Sequence, residues 1–375
     1  MRIPLILSLT LSSILYSGCG PHKEPAKKPT KTHISYETHA DINLAKQEPY
    51  YKYAWHLESN NSVLNEEGYT INAEADMNIT AAWKITMGQT VRVAVIDDGG
   101  QVDHEDLNST IYKAYNADDN SSNVYQQTSK GSHGNTCAGF IVAAINGKGV
   151  VGVAPKSKLI LIRQEESSDA KTIQAFEYAK KHGAKVISCS WGTEYISDIV
   201  SSELKSLYQA GISVVFASGN DGKSLDTPYI NDESEQAWVI GVGASTEFND
   251  VSSYSNYGKA IDILAPGGDV EISSGLIGLN DMASTYNYKR QRALVKGSYQ
   301  FVDGTSFAAP NVAGVIALMY SVNPEIKPKE IREILISTAT KVGEGYDENG
   351  FETKRAYGKI NAGKAVTEAQ KRFKR

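Results

Sequence analysis

Short apolar runs alternate with amphipathic stretches through the middle of the chain. The runs VRVAVIDD (91–98), LILIR (159–163), KVISCSW (185–191), SVVFAS (213–218) and WVIGVGAS (238–245) read as buried strands. Between them, DAKTIQAFEYAKKHG (169–183) and SDIVSSELKSLYQAG (197–211) carry helical spacing and end at Gly183 and Gly211. Strand, helix and strand in succession predict an α/β fold, a three-layer sandwich with a mostly parallel central sheet covered by helices on both faces. In such sheets, sites gather beyond the carboxyl ends of the strands. Asp97 closes the first of these runs, and Ser218, Gly219 and Asn220 close the fourth.

The run VDGTSFAAPNVAGVIALMY (302–320) is apolar almost throughout and predicts a buried helix, yet it opens on Gly304, Thr305 and Ser306. Thr305 or Ser306 is the expected cap, with Pro310 in the first turn, where its missing N–H matters least. Small residues on both sides of the Ser306 hydroxyl let another chain approach it. A serine at a helix N-terminus also meets a positive dipole potential that favours a developing oxyanion. Such a nucleophile needs a base. Of the seven histidines, only His133, in GSHGNTCAGFIVAA, stands where a glycine-bearing turn leads into a small-residue helix. Asp97 ends a buried strand, where an ionised carboxylate is costly unless a hydrogen-bond donor meets it. An imidazole N–H would do this while fixing the ring's tautomer.

The order Asp97, His133, Ser306 is that of subtilisin. The segments VAVIDDG, HGNTCAG, ASGND and DGTSFAAPNVAG resemble, in order, the aspartate, histidine, oxyanion-asparagine and serine motifs of subtilisin-like serine proteases. The resemblance runs from about Tyr50 to Ala369. It implies a serine endopeptidase in which Asp97 orients His133, His133 is general base and then acid, Ser306 attacks the scissile carbonyl and Asn220 donates to the oxyanion. SCSWGT resembles the segment along which extended substrate lies, which implies backbone contacts from Ser190, Trp191 and Gly192, with Gly219 beside them; for the Trp191 side chain the alternative is plain packing at the sheet edge. Asp98 after Asp97, and Cys137 one turn after His133, resemble the proprotein-convertase branch. There Asp98 would contact a basic substrate residue, the alternative being a solvated turn carboxylate. Tyr195 departs from that branch, standing where an acid is expected. DHEDL and AAINGKGVVG match the family's tight calcium site, implying a Ca2+ ion held by Asp106, by the Asn146 side chain and by backbone near Ala144, Lys148 and Val150; the alternative is a loop stabilised by its own hydrogen bonds. Asn135 replaces the usual threonine or serine, and the stretch between Pro266 and Gly304 is longer than in a minimal family member, with NYKRQR (287–292) as an expected exposed basic loop.

The 375 residues, 41% hydrophobic and with a formal net charge of -5, make the chain globular and give no case for nucleic acid. MRIPLILSLTLSSILYSGCG reads as a lipoprotein-type signal peptide (1–19), with Cys19 as the lipidation site and a membrane partner through the lipid anchor. Export to the cell envelope is expected, to the outer membrane if the cell is Gram-negative, since Gly20 follows the cysteine; the alternative is ordinary secretion or a periplasmic destination. Residues 20–49, rich in Lys, Pro, Thr and Glu, are the expected flexible tether, 50–369 the peptidase domain and 370–375 a solvated basic tail. Cys137 and Cys189 are expected to be buried and unpaired. No prodomain is evident between Cys19 and the catalytic start, which supports the alternative of a catalytically silent binding protein on the same scaffold. An α/β-hydrolase would need a G-x-S-x-G elbow, which Ser306 lacks.

Overall fold

The computed structural model describes residues 38–125, 132–281, 294–295 and 297–374. The leader with Cys19, most of the expected tether and the NYKRQR stretch lie outside the described residues. The chain opens with helices α1 (Thr38–Ala45) and α2 (Ile79–Trp83), then strands β1 (Arg92–Asp97) and β2 (Ile111–Asn116). Next come α3 (His133–Val142), β3 (Lys158–Arg163), α4 (Asp169–Lys181), β4 (Val186–Cys189), α5 (Asp198–Gln209), β5 (Ser213–Ala217), β6 (Ile240–Ser245) and β7 (Ile263–Pro266). A hairpin of β8 (Leu276–Leu279) and β9 (Tyr299–Val302) precedes α6 (Thr305–Val322), α7 (Pro328–Thr338) and α8 (Ala362–Lys374).

Strands β1 to β7 form one sheet in the order β2-β3-β1-β4-β5-β6-β7, and every pairing in it is parallel. Alternation along the strands divides the core. Val93, Val95, Leu159 and Leu161 face α3, α6 and α8, whereas Ala94, Ile96, Ile160 and Ile162 face α4 and α5. This is the predicted three-layer arrangement, and it explains why the strand runs look apolar throughout. Cys137 and Cys189 are buried and free, one in each core.

Helix α6 is apolar and long enough to cross a membrane, but 94% of it is buried inside the fold. It packs across β4, β5, β6 and β7 and carries Ser306 to the sheet's carboxyl edge. β1 lies between β3 and β4, so the chain's direction of travel across the sheet reverses there. That reversal opens a crevice, and loops after adjacent strands β1, β4 and β5 deliver Asp97, Ser190 and Asn220 to one rim.

Three boundaries differ from expectation. Residues 38–49 are not tether: Ile42 and Ala45 are buried on one side of α1, Glu48 is buried beyond it, and Asp41 pairs with Lys156. A single pair of buried positions three apart is too short a pattern to register in a polar stretch. Nor is the basic tail separate, because α8 runs through Lys374 and Arg372 pairs with Glu333 at 3.3 Å and Glu368 at 3.4 Å. Pro310 falls in the second turn of α6, and the N-cap is Gly304, not Thr305 or Ser306.

Candidate active site

Pro310 has no N–H to give to the carbonyl four residues back, which is that of Ser306. Two neighbours donate to this carbonyl instead: Ser190 Oγ at 2.7 Å and Cys137 Sγ at 3.4 Å. The proline thus ties the start of α6 to the end of β4 and to α3. Ser306 Oγ in turn donates to Ser190 O at 3.3 Å.

His133 is the first residue of α3. Its Nδ1–H donates to Asp97 Oδ1 at 2.8 Å, leaving Nε2 for other partners. Its ring lies against Phe307, with centroids 5.4 Å apart, and Cys137 Sγ stands 3.7 Å from Nδ1 and 3.4 Å from the Ser306 carbonyl. His133 and Ser306 are therefore brought together by α3 and α6. The approach of α3 to β1 depends on Gly134, where a Cβ would meet Gly99 O and stand 2.8 Å from Asp97 Cβ. Asp97 is 6% exposed and also accepts from Asp98 N at 2.8 Å. Partial burial of the imidazole opposes its protonation, but the Asp97 carboxylate and, after it, Cys137 together offset this and hold His133 above the ordinary imidazole range. The sulfur of Cys137 joins Asp97 and His133 in one cluster of metal-ligand-type atoms within 4.8 Å, but two of its members are already committed to each other.

Asp98 sits beneath α3 and not against the pocket beside Ser306. Its Oδ2 accepts from His133 N at 2.9 Å and its Oδ1 from Gly134 N at 2.7 Å, capping the helix start. Burial and the neighbouring Asp97 push its carboxyl up to about 6. Asn135, the departure after His133-Gly134, is buried and donates to Asn280 O at 3.2 Å, away from the imidazole.

Asn220 Oδ1 accepts from Thr305 N at 2.9 Å and Thr305 Oγ1 at 2.8 Å. Its amide nitrogen is the donor left to face the pocket it lines. That pocket, about 220 Å3, is bounded by Ser190, Trp191, Gly192, Gly219, Asn220 and Ser306 among others. The expected substrate segment thus reaches the serine. Trp191 also packs, its Nε1 donating to Ile96 O at 2.9 Å and its ring meeting Phe216 edge-on.

The expected cation ligands converge as well. Asp106, fully buried, accepts from Asn146 Nδ2 at 3.0 Å and Val150 N at 3.1 Å; its own carbonyl accepts from Ala144 N at 2.9 Å, and Lys148 N donates to Asn146 Oδ1 at 2.8 Å. Sequence reasoning missed Glu48, whose Oε1 accepts from Asn146 N at 2.7 Å and Gly147 N at 2.8 Å. Its buried Oε2 has no partner among the described residues. Burial pushes the Asp106 carboxyl up to about 7 and raises Glu48. Two buried carboxylates, one with an unmet oxygen, beside a side-chain amide make a hard-oxygen donor set that fits a divalent cation. Only the position of Glu48 inside a polar, tether-like stretch concealed it.

A family profile described as the subtilase family, Peptidase S8, matches residues 88–359. A calcium-dependent protease of Nostoc sp. is 32% identical over 361 residues, covering 86% of this chain, which spans about half (52%) of that relative's length. Subtilisin of Bacillus pumilus is 34% identical over 263 residues, covering 69% of this chain and 87% of that one. Among solved structures, a protease from Pseudoalteromonas arctica superposes with a TM-score of 0.70 at 26% identity, over 86% of this chain and 99% of that one.

Proposed function

Because the chain belongs to the subtilase family, we propose that it is a serine endopeptidase that hydrolyses extended protein segments through an acyl-enzyme on Ser306. The observation that carries this reading is the 2.8 Å His133–Asp97 hydrogen bond on the rim that also holds Ser306 and Asn220. On this reading the Ser306 hydroxyl, which donates to Ser190 O here, passes its hydrogen bond to His133 Nε2 when substrate binds; such catalytic hydrogen bonds are often loose without substrate. Nε2 takes the hydroxyl proton as Oγ bonds to the carbonyl carbon, and the oxyanion accepts from Asn220 Nδ2 and the Ser306 N–H. His133 then gives that proton to the leaving amine, and water repeats the sequence to release the acid.

Asn220→Ala tests this reading. The oxyanion exists only in the transition state and the intermediate, so kcat on an extended peptide should fall about 100- to 1000-fold with KM little changed, the loss measured for the corresponding donor of subtilisin. Unchanged kcat would refute the role and weaken the whole reading.

Asp106, Glu48 and Asn146, with backbone near Ala144, Lys148 and Val150, would hold Ca2+ as a structural ion. The calcium-dependent relative and the two buried carboxylates, Glu48 and Asp106, support this. Bound calcium offsets the two buried negative charges. Without it, an Asp106 carboxyl raised to about 7 from an ordinary 3.8 costs the fold stability as pH rises through that range. Calcium at a hundred times its Kd should add about 2.7 kcal/mol. A chelator should therefore lower Tm, more at pH 8 than at pH 6, and Glu48→Gln or Asp106→Asn should remove the effect. Indifference of Tm to chelator at both pH values would count against the site.

The leader pattern supports export and anchoring at the cell envelope through lipidated Cys19.

A further inference from the structure

Resting on the protease reading above, we propose that the pocket beside Ser306 selects a cationic side chain, lysine or arginine, on the acyl side of the scissile bond, and that Asp232, Asp221 and Glu194 set this preference. The pocket combines apolar walls with an excess of negative charge. Trp191, Ala217, Leu225 and Ile230 supply apolar surface. The ionisable groups among its described lining residues are three carboxylates, Glu194, Asp221 and Asp232, against one ammonium, Lys223, which leaves two negative charges unbalanced. A lysine or arginine matches both features, since its methylene stem covers apolar wall while its head remains polar.

Asp232 is the decisive member because it is only 7% exposed. It stands directly behind Gly192, where a Cβ would come within 2.5 Å of Asp232 Oδ2. Glycine at 192 thus lets a buried carboxylate border the pocket. Asp232 accepts from Glu194 N at 3.2 Å and Ser234 N at 2.9 Å, and these two bonds leave acceptor capacity on a carboxylate with about four such sites. An apolar substrate side chain would strip water from this group and return nothing. A cation would meet it.

The mouth already accepts an ammonium. Lys223 Nζ lies 2.6 Å from Glu194 Oε1 and 3.3 Å from Asp221 Oδ2, both acids being more than half exposed. Exposed pairs of this kind are weak and exchangeable. An incoming cation competes with Lys223 for them, so Lys223 is an internal rival of the preferred substrate.

The test is the kinetics of the full chain on peptides that differ only in the residue before the scissile bond: Arg, Lys, Leu, Phe or Glu. Arg and Lys should exceed Leu in kcat/KM by about tenfold or more, the scale of one charge-assisted hydrogen bond. Asp232→Asn should cut the Arg-to-Leu ratio about tenfold, and Lys223→Ala should raise it about threefold. Since Asp232 anchors two backbone amides, circular dichroism accompanies its variant; should that variant unfold, the wild-type profile, Lys223→Ala and the Glu194→Gln, Asp221→Asn double variant, which should lower the ratio, decide the matter. A wild-type preference for Leu or Phe, or a ratio that these charge changes leave alone, overturns the proposal while the Ser306-dependent cleavage still stands. Failure to cleave any peptide overturns the protease reading and this one with it.

Discussion

Ser306→Ala lowers kcat on an extended peptide by about a millionfold, close to the loss seen when the nucleophile of subtilisin is removed. The size follows from the site's division of labour. Without the hydroxyl, His133 has no serine proton to take and no acyl-enzyme can form. What remains is binding along Ser190 to Gly192 and donation from Asn220, and these alone leave only a residual acceleration over the uncatalysed reaction. The fold should hardly notice, because Ser306 Oγ makes one long 3.3 Å bond to Ser190 O, whereas the bonds that fix the helix start run to the Ser306 backbone carbonyl. Thermal unfolding of the variant should match wild type; a large drop in Tm would show that lost activity had a structural origin.

Asp97→Asn should cost about ten-thousandfold in kcat. Asp97 is nearly buried and offers one oxygen to both His133 Nδ1–H and Asp98 N, at 2.8 Å each. Its Oδ2 has no partner among the described residues, so the carboxylate's charge is left to act on the imidazole. A carboxamide keeps the shape but can turn its NH2 toward Nδ1, which moves the ring proton to Nε2 and removes the base. The pH profile distinguishes this from simple loss of packing. The base must be neutral, so wild-type kcat/KM should fall as pH drops through an imidazole pKa lying above 6.5. Burial alone lowers that pKa, so in Asp97→Asn the residual acid limb should move down. Stability runs the other way: a raised folded-state pKa makes the His133–Asp97 pair stabilising below about 6.5, and that contribution is lost as pH rises through the folded value. A limb that stays in place in the variant would mean that Asp97 is not what holds the imidazole's proton.

The residues gathered at the candidate rim were largely readable in advance because the chemistry proposed for them restricts residue type. A buried strand ending in Asp97, a glycine turn before His133 and small residues around Ser306 each had a physical reason before any fold was known. The parallel sheet was readable for a similar cause, since strands buried on both faces leave continuous apolar runs. Strand β2 was not, because Ile111–Asn116 is an edge strand with a mostly exposed or half-buried pattern and little apolar signal. Glu48 was hidden because its partners, Asn146 and Gly147, lie about 100 residues away, and a lone glutamate in a polar stretch predicts nothing. The pocket acids were hidden in the same way: Asp232 reaches the wall only because Gly192, 40 positions earlier, has no side chain to exclude it. Asp98, expected to face substrate, turns inward instead, because the open amides at the start of α3 claim both of its oxygens. Pro310 lies in the second turn of α6 and not the first, and there it frees the Ser306 carbonyl for the Ser190 and Cys137 contacts that lock the start of the helix.

If Asp97, His133 and Ser306 act as one proton-handling unit, a fluorophosphonate should label the protein stoichiometrically, because such a probe phosphonylates a serine only when a neighbouring base activates it. One adduct per folded chain is expected, located by mass spectrometry on Ser306 and lost in both Ser306→Ala and His133→Ala. No adduct on the folded wild type, an adduct on another residue, or equal labelling after His133→Ala would show that the three side chains do not work as a unit.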